Sequence, residues 1–184
     1  MATLYIVATP IGNLEDITLR ALRVLAEVDV IFCEDTRTTR VLLERYKIKT
    51  ATESFHAKSP LSKIDHIIEL LQSGKNLALV SDAGTPCISD PGMLLVAEVR
   101  KQSPDTSMAA IPGASALTAA ISIAGKPLHE FVFLGFLPHK KGRKTLFEEI
   151  RTGARPYVFY ESPQRMEKTL KSQAGSGRTV TIFR

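Results

Sequence analysis

Residues 77–92 read LALVSDAGTPCISDPG, and this stretch sets the fold class of the chain around it. Four apolar residues, a length typical of a buried strand, run directly into twelve residues rich in Asp, Ser, Gly and Pro. A helical pattern begins near Pro91. Strand, loop and helix in this order are the repeating unit of α/β proteins. The loop is longer than such a connection needs, which favours ligand binding by residues 81–88.

The same alternation continues on both sides of this loop. Further strands are predicted at residues 4–8, 28–33, 107–111, 131–137, 156–160 and 179–183, separated by helices that begin near residues 16, 38, 59, 91, 114, 144 and 163. This pattern predicts an α/β fold with a mostly parallel sheet in a first domain, residues 1–118. Residues 119–184 are expected to form part of a second α/β domain.

Composition excludes several classes of protein. Hydrophobic residues make up 44% of the 184 residues and charged residues 23%, which is typical of a globular protein and not of a disordered one. No apolar run approaches the ~20 residues of a membrane span. The N-terminal sequence lacks the pattern of a signal peptide, so a cytoplasmic location is expected. Cys33 and Cys87 have no close metal-ligand spacing, and no metal site is predicted.

Charge is distributed unevenly along the chain. Residues 1–118 contain 12 Lys and Arg against 14 Asp and Glu, whereas residues 119–184 contain 12 against 5. A basic second part suits contact with a polyanion such as nucleic acid. A solvated basic face without a specific partner explains the same composition, and charge alone does not separate the two interpretations.

Four polar loops follow the predicted strands of the first domain. They read TPIGN, CEDTR, SDAGTP and IPGASA. Because the carboxyl ends of parallel strands share one sheet edge, the loops are expected to form one pocket. Neither a P-loop nor a G-x-G-x-x-G fingerprint is present, which disfavours the common nucleotide folds. Gly84 permits close backbone approach, and Asp82 and Thr85 supply polar contacts.

Six motifs taken together carry a resemblance to a known family. In chain order they are LYIVATPIGNLEDIT, CEDTR, SDAGTPCISDPG, IPGASA, FLGFLPHKKGRK and YESPQR. This series resembles the tetrapyrrole methylase superfamily and, within it, the ribosomal RNA small subunit methyltransferase I family. The match runs from about residue 3 to about residue 167. Family members continue beyond the point where this chain stops, so the second domain is expected to be incomplete.

The resemblance implies an S-adenosylmethionine-dependent enzyme that methylates the ribose 2′-hydroxyl of a cytidine in the decoding region of small-subunit (16S) ribosomal RNA. It implies a homodimer and a two-domain α/β fold. The segments that contact the cofactor in the family fall on Pro10, Ile11, Asp82, Gly84, Thr85, Ile88, Ser115 and Ala116.

The chemistry of the remaining polar residues suggests further roles. A carboxylate could accept the proton of the ribose hydroxyl, and the candidates are Asp35, Asp16 and Glu161. Lys140, Lys141, Arg143, Lys144 and Arg165 suit contacts to RNA phosphates. Two other readings stay open: a corrin or porphyrin methylase of the same superfamily, and a non-catalytic RNA-binding protein.

Overall fold

The computed structural model of the protein describes residues 2–126 and 128–184. They group into two compact units, Met1–Ala116 and Leu117–Arg184. The first unit contains a five-stranded sheet in the order β3-β2-β4-β1-β5, in which every strand pair is parallel. Its strands are β1 (Thr3–Val7), β2 (Val30–Cys33), β3 (Ala51–Ser54), β4 (Leu77–Val80) and β5 (Ser107–Ile111).

The middle strand, β4, explains why the sheet forms here. All four of its residues are buried. Successive side chains on a strand point to opposite faces, and Leu77 and Leu79 accordingly join one hydrophobic core while Ala78 and Val80 join the other. Burial on both faces accounts for a continuous apolar run without polar alternation.

Helices cover both faces of this sheet. They are α1 (Leu19–Glu27), α2 (Thr36–Arg45), α3 (Leu61–Gln72) and α4 (Gly92–Gln102), and α5 (Ala116–Ser122) leads away from the sheet. The helix predicted from Asp16 begins at Leu19 instead, because the Thr18 hydroxyl accepts a hydrogen bond from the Ala21 N–H and caps it. Asp16 lies in a short 3-10 helix, Leu14–Asp16.

Strand β3 was not predicted from the sequence. Its residues, Ala51–Ser54, are exposed or half-buried, and three of the four are polar. It pairs with β2 at the edge of the sheet. This strand is therefore held by main-chain hydrogen bonds to β2. It lacks the apolar pattern from which the buried strands were predicted.

The second unit contains two parallel strands, β6 (Val132–Phe136) and β7 (Tyr157–Tyr160), with α6 (Arg143–Thr152) and α7 (Pro163–Gln173). Leu137, Phe147 and Ile150 form its buried core. The prediction of a strand at residues 179–183 is wrong, since neither strand of this unit pairs with these residues. Nowhere in residues 2–126 and 128–184 is a helix long and apolar enough to cross a membrane.

Candidate functional site

Three of the four polar loops are held against one another at the carboxyl edge of the sheet. Their strands, β4, β1 and β5, are neighbours in the sheet. Thr9 and Gly84 exchange main-chain hydrogen bonds of 2.9 and 3.0 Å, and the N–H of Ala8 donates to the Ile111 carbonyl at 3.3 Å. The segments predicted to contact a cofactor therefore start from adjacent points on one rigid edge.

Gly84 and Thr85 tie the central loop to the two beside it. Gly84 has a φ of +86°, and a Cβ added there would lie 3.4 Å from Cγ2 of Ile11. The Thr85 hydroxyl donates to the Ala114 carbonyl at 3.1 Å, next to Ser115 and Ala116. Glycine suits this position because residues with a side chain rarely adopt a φ of this sign.

Asp90 braces the second half of the same loop. Its carboxylate accepts hydrogen bonds from the N–H of Cys87 at 2.9 and 3.0 Å and from the N–H of Gly92 at 2.8 Å. Cys87 is held at a φ of +69°, which is uncommon for a residue other than glycine. Asp90 therefore sets the conformation of the loop as well as the start of α4.

The tips of these loops combine apolar and acidic groups. Ile11 and Ile88 are 37% and 43% exposed, although Pro10, which precedes Ile11, is buried. The Asp82 side chain is exposed on the same loop as Ile88. Small residues, main-chain groups, apolar surface and a carboxylate thus lie together at the sheet edge.

Asp35 and Asp82 lie on neighbouring loops, after β2 and β4. The main-chain N–H of Asp35 donates to Oδ1 of Asp82 at 3.1 Å. Asp35 also caps α2, and the Arg37 side chain pairs with it at 2.6 Å. Hydrogen bonds from the Arg37 side chain and main chain lower the pKa of Asp35 to about 2. A carboxylate with so low a pKa is a weak proton acceptor.

Glu34 lies on the loop after β2 close to Asp82 and was not among the sequence-based candidates. Burial raises the pKa of this carboxyl, and the negative charges of Asp82 and Asp90 raise it further, although a hydrogen bond from the main-chain N–H of Asp82 and the nearby His56 act in the opposite direction. Its position directly after buried strand β2 was the only signal in the sequence.

A cavity of about 290 Å³ opens between the loop after β1, the loop after β4 and helix α2. Its wall includes Thr9, Pro10, Leu14, Thr38, Leu42 and Asp82. The wall is contributed by elements that follow β1, β2 and β4, so the cavity lies on the β2 side of the three joined loops. Asp16, a predicted base, is exposed and does not line it.

In the second unit, Glu161 lies at the centre of a buried polar network. Its side chain is 1% exposed and pairs with Arg165 at 2.5 Å and with Arg143 at 3.6 Å. It also accepts hydrogen bonds from the Thr169 hydroxyl at 2.6 Å and the Ser162 N–H at 2.9 Å. Burial opposes its ionisation, but these donors and cations outweigh burial and lower its pKa. Both oxygens are occupied, which does not suit a catalytic base.

The same network changes the assignment of two predicted RNA-binding residues. Arg143 is 10% exposed at its side chain and donates to the Pro138 carbonyl at 3.1 Å and the Thr169 hydroxyl at 2.7 Å. Arg165, 19% exposed, donates to the Leu137 carbonyl at 2.9 Å. Their guanidinium groups therefore hold the loop after β6 and are not available to phosphates.

The lysines on that loop are placed differently from the arginines. Lys140, Lys141 and Lys144 are exposed. Within the described part of the chain, their side chains form no hydrogen bond or ion pair. Across the same described residues, no group of three or more His, Cys, Asp or Glu is arranged to hold a metal ion.

Comparison with known proteins places this fold and these loops in one class. The family model described as Tetrapyrrole (Corrin/Porphyrin) Methylases matches residues 3–183. Among solved structures, diphthine synthase aligns with a TM-score of 0.72 and 15% identity over 94% of this chain and 72% of that one. The methyltransferase CobJ aligns with a TM-score of 0.69 and 20% identity over 97% of this chain and 77% of that one. At these identities the structures show the shared fold.

Curated relatives specify the family more closely. Proteins named Ribosomal RNA small subunit methyltransferase I from Thermotoga maritima, Mesorhizobium japonicum and Mycoplasmopsis pulmonis are 48%, 46% and 47% identical to this chain over 93%, 98% and 100% of its length. The chain spans 76%, 62% and 82% of the length of these relatives. It belongs to the tetrapyrrole methylase family and, within it, to the ribosomal RNA small subunit methyltransferase I family.

Proposed function

We propose that this chain is an S-adenosylmethionine-dependent methyltransferase that acts on small-subunit ribosomal RNA, and that its target is the ribose 2′-hydroxyl of a cytidine. The observation that carries the proposal is that the loops after β1, β4 and β5 are joined at one sheet edge. The chain is also 48% identical to a protein named Ribosomal RNA small subunit methyltransferase I. Proteins that share only the fold and act on other substrates are far less similar in sequence.

The residues at this edge fit the proposed cofactor. S-adenosylmethionine has a flat base, a ribose, an amino-acid tail and a sulfonium cation that supplies the methyl group. Gly84 lets the main chain approach closely, and Ile11 and Ile88 offer apolar surface. Ser115 and Ala116 follow the loop that Thr85 holds in place.

We propose that most of the rate enhancement comes from the alignment of the two reacting atoms and from the exclusion of water. Methyl transfer to an alcohol oxygen is an in-line displacement, which depends on the position of the two reacting atoms. Of the three predicted bases, Asp35 has a pKa of about 2, Asp16 lies off the cavity and Glu161 is occupied in the second unit. None of them combines a suitable pKa with a suitable place, so the hydroxyl proton is proposed to pass to water.

The exposed lysines of the second unit are the proposed contacts to RNA phosphates. Lys140, Lys141 and Lys144 are on the loop after β6 and the start of α6. Arg143 and Arg165 hold this loop through the Pro138 and Leu137 carbonyls. We therefore propose a division of labour in which residues 1–118 form a domain that binds cofactor and target nucleotide and residues 119–184 contact the RNA backbone. A homodimer in the cytoplasm is part of the same proposal.

The direct test is transfer of labelled methyl groups from S-adenosylmethionine to three acceptors: small ribosomal subunits, free ribosomal RNA and a tetrapyrrole precursor. Label is expected in the RNA, at a ribose 2′-oxygen. Label in the tetrapyrrole alone would establish the corrin or porphyrin methylase reading. Binding of RNA without any binding of the cofactor would establish the non-catalytic one.

A matched pair of variants tests the cofactor site. G84V places a branched side chain against Ile11 where φ is +86°. G74V imposes the same kind of backbone strain, since φ is +91° at Gly74, but meets no atom within 4 Å. Calorimetry with S-adenosylmethionine should show at least a tenfold loss of affinity for G84V and little change for G74V. Equal affinity in both variants would remove Gly84 from the cofactor site.

A further inference from the structure

The cavity beside α2 is adjacent to the proposed cofactor loops but distinct from them. The cofactor segments follow β4, β1 and β5, whereas the cavity is lined by residues that follow β1, β2 and β4. Two loops, those after β1 and β4, thus border both sites. A methyl acceptor has to lie in line with the methyl donor, so a cavity that shares two walls with the donor site is well placed for the acceptor.

The cavity has the composition of a site for a flat, partly polar ligand. At about 290 Å³ it is close to the lower limit of small-molecule pockets, ~300 Å³. Pro10, Leu14 and Leu42 give it apolar walls, and the exposed Thr38 adds a hydroxyl. A nucleobase needs this combination of apolar surface for its faces and a few polar groups for its edge.

Asp82 supplies a carboxylate in a defined orientation at the wall of the cavity. Its Oδ1 accepts the hydrogen bond from the main-chain N–H of Asp35 at 3.1 Å. No residue in 2–126 or 128–184 donates a hydrogen bond to its Oδ2. One oxygen is therefore held in place by the neighbouring loop, which leaves the other able to accept a hydrogen bond from a ligand.

We propose that this cavity receives the base of the methylated nucleotide, turned out of the RNA, and that Oδ2 of Asp82 accepts a hydrogen bond from the exocyclic amine of cytosine. The proposal rests on the proposed function and adds a residue that determines base specificity. Asp and Glu are the side chains suited to the N4 amine of cytosine, because a carboxylate is purely an acceptor. Uracil presents an oxygen at the same position, and two facing acceptors repel each other.

The decisive variant is D82N. Asparagine has the same shape, keeps an oxygen for the Asp35 N–H and replaces the free carboxylate oxygen with an NH₂ donor. Small ribosomal subunits would be reconstituted with 16S RNA that carries cytosine or uracil at the position methylated by the wild-type chain. Single-turnover methyl transfer by the full chain should favour cytosine at least tenfold for the wild type, and D82N should reduce or reverse that ratio.

D65N is the control for D82N. Asp65 is exposed on α3 and does not line the cavity, so D65N makes the same change of side chain away from the proposed site. Its cytosine-to-uracil ratio should stay at the wild-type value. If D82N lowers both rates equally and leaves the ratio unchanged, the inference is wrong. If both rates are too low to measure, competition between the two RNAs for binding gives the ratio instead.

A second variant tests the cavity without touching Asp82. T38M adds bulk at an exposed position of α2 that lines the cavity, so folding should not suffer. It should raise the KM for the RNA at least fivefold and change the affinity for S-adenosylmethionine less than twofold. An unchanged KM would overturn the inference. A wild-type chain that methylates no RNA at all would overturn the proposed function first, and the two failures are distinguishable.

Discussion

The main-chain N–H of Asp35 donates a hydrogen bond to Oδ1 of Asp82 and so helps to join the loops after β2 and β4. The side chain of Asp35 pairs with Arg37. Asp82 lines the cavity and keeps one carboxylate oxygen without a hydrogen bond. Two carboxylates 47 residues apart in the chain thus have different roles. Asp35 caps a helix, whereas Asp82 is available to a ligand.

The R37A variant should raise the pKa of Asp35 toward its ordinary value. The Arg37 side chain is the main reason that this pKa lies at about 2. Without it we expect a value nearer the ordinary 3.9, measured by NMR titration of the Asp35 carboxyl. A lowered pKa in the folded state stabilises the fold above the unfolded-state pKa, and this contribution disappears as the pH falls through about 2. An unchanged titration would show that the pair does not form in solution.

Removal of the Glu161 charge should destabilise the second unit. E161Q leaves Arg143 and Arg165 in a buried network without their counter-charge, which we expect to lower the free energy of unfolding by about 3 kcal/mol. E148Q is the matched control, since Glu148 is 64% exposed and pairs with Arg151 only at 3.9 Å. Urea unfolding followed by circular dichroism measures both, and equal midpoints would contradict the burial of the network.

The Glu161 network also predicts a pH dependence. Because the folded state lowers the pKa of Glu161, its stabilising effect is present above the unfolded-state pKa and is lost as the pH falls through the folded-state value. The wild type should therefore lose stability in acid more steeply than E161Q does. Unfolding midpoints measured from pH 7 down to pH 3 provide the comparison, and parallel curves would argue against it.

An alanine at position 92 should disturb the central loop. A Cβ there would lie 2.8 Å from Oδ1 of Asp90, 2.9 Å from Cδ2 of Leu79 and 3.0 Å from Sγ of Cys87. Overpacking of this kind typically costs ~1–3 kcal/mol of stability. M93A, at the neighbouring and 60% exposed position, should change stability by less than ~0.5 kcal/mol. Equal unfolding midpoints for G92A and M93A would show that the loop relaxes freely.

Neutralising two exposed lysines should weaken RNA binding in a way that depends on salt. Each phosphate contact contributes about 0.7 to 0.9 to the slope of log affinity against log salt, so K140A/K141A should reduce that slope by about 1.5. Stability should not change, because both side chains are exposed. Filter binding to 16S RNA at several salt concentrations checks the slope. A lower affinity with the wild-type slope would rule out direct phosphate contacts.

Much of the first unit was predictable from local pattern. Buried strands such as Leu77–Val80 carry continuous apolar runs, and polar loops at their carboxyl ends predict a shared sheet edge. Edge strand Ala51–Ser54 was missed because half-exposed polar residues have no such run. The strand predicted at residues 179–183 was wrong for the opposite reason: its apolar alternation had no strand beside it to pair with.

The α/β class, the family and the polar loops at the sheet edge could be predicted from sequence, because these depend on periodicity and on motifs read in order. The roles of individual charged residues became clear only from the fold. Arg143 and Lys144 are adjacent in the sequence, yet one is buried against Thr169 and the other is exposed. Likewise, Asp35 is held by Arg37 while Asp82 keeps a free oxygen. Burial and available partners determine what a charge can do, and both are set by residues far away in the chain.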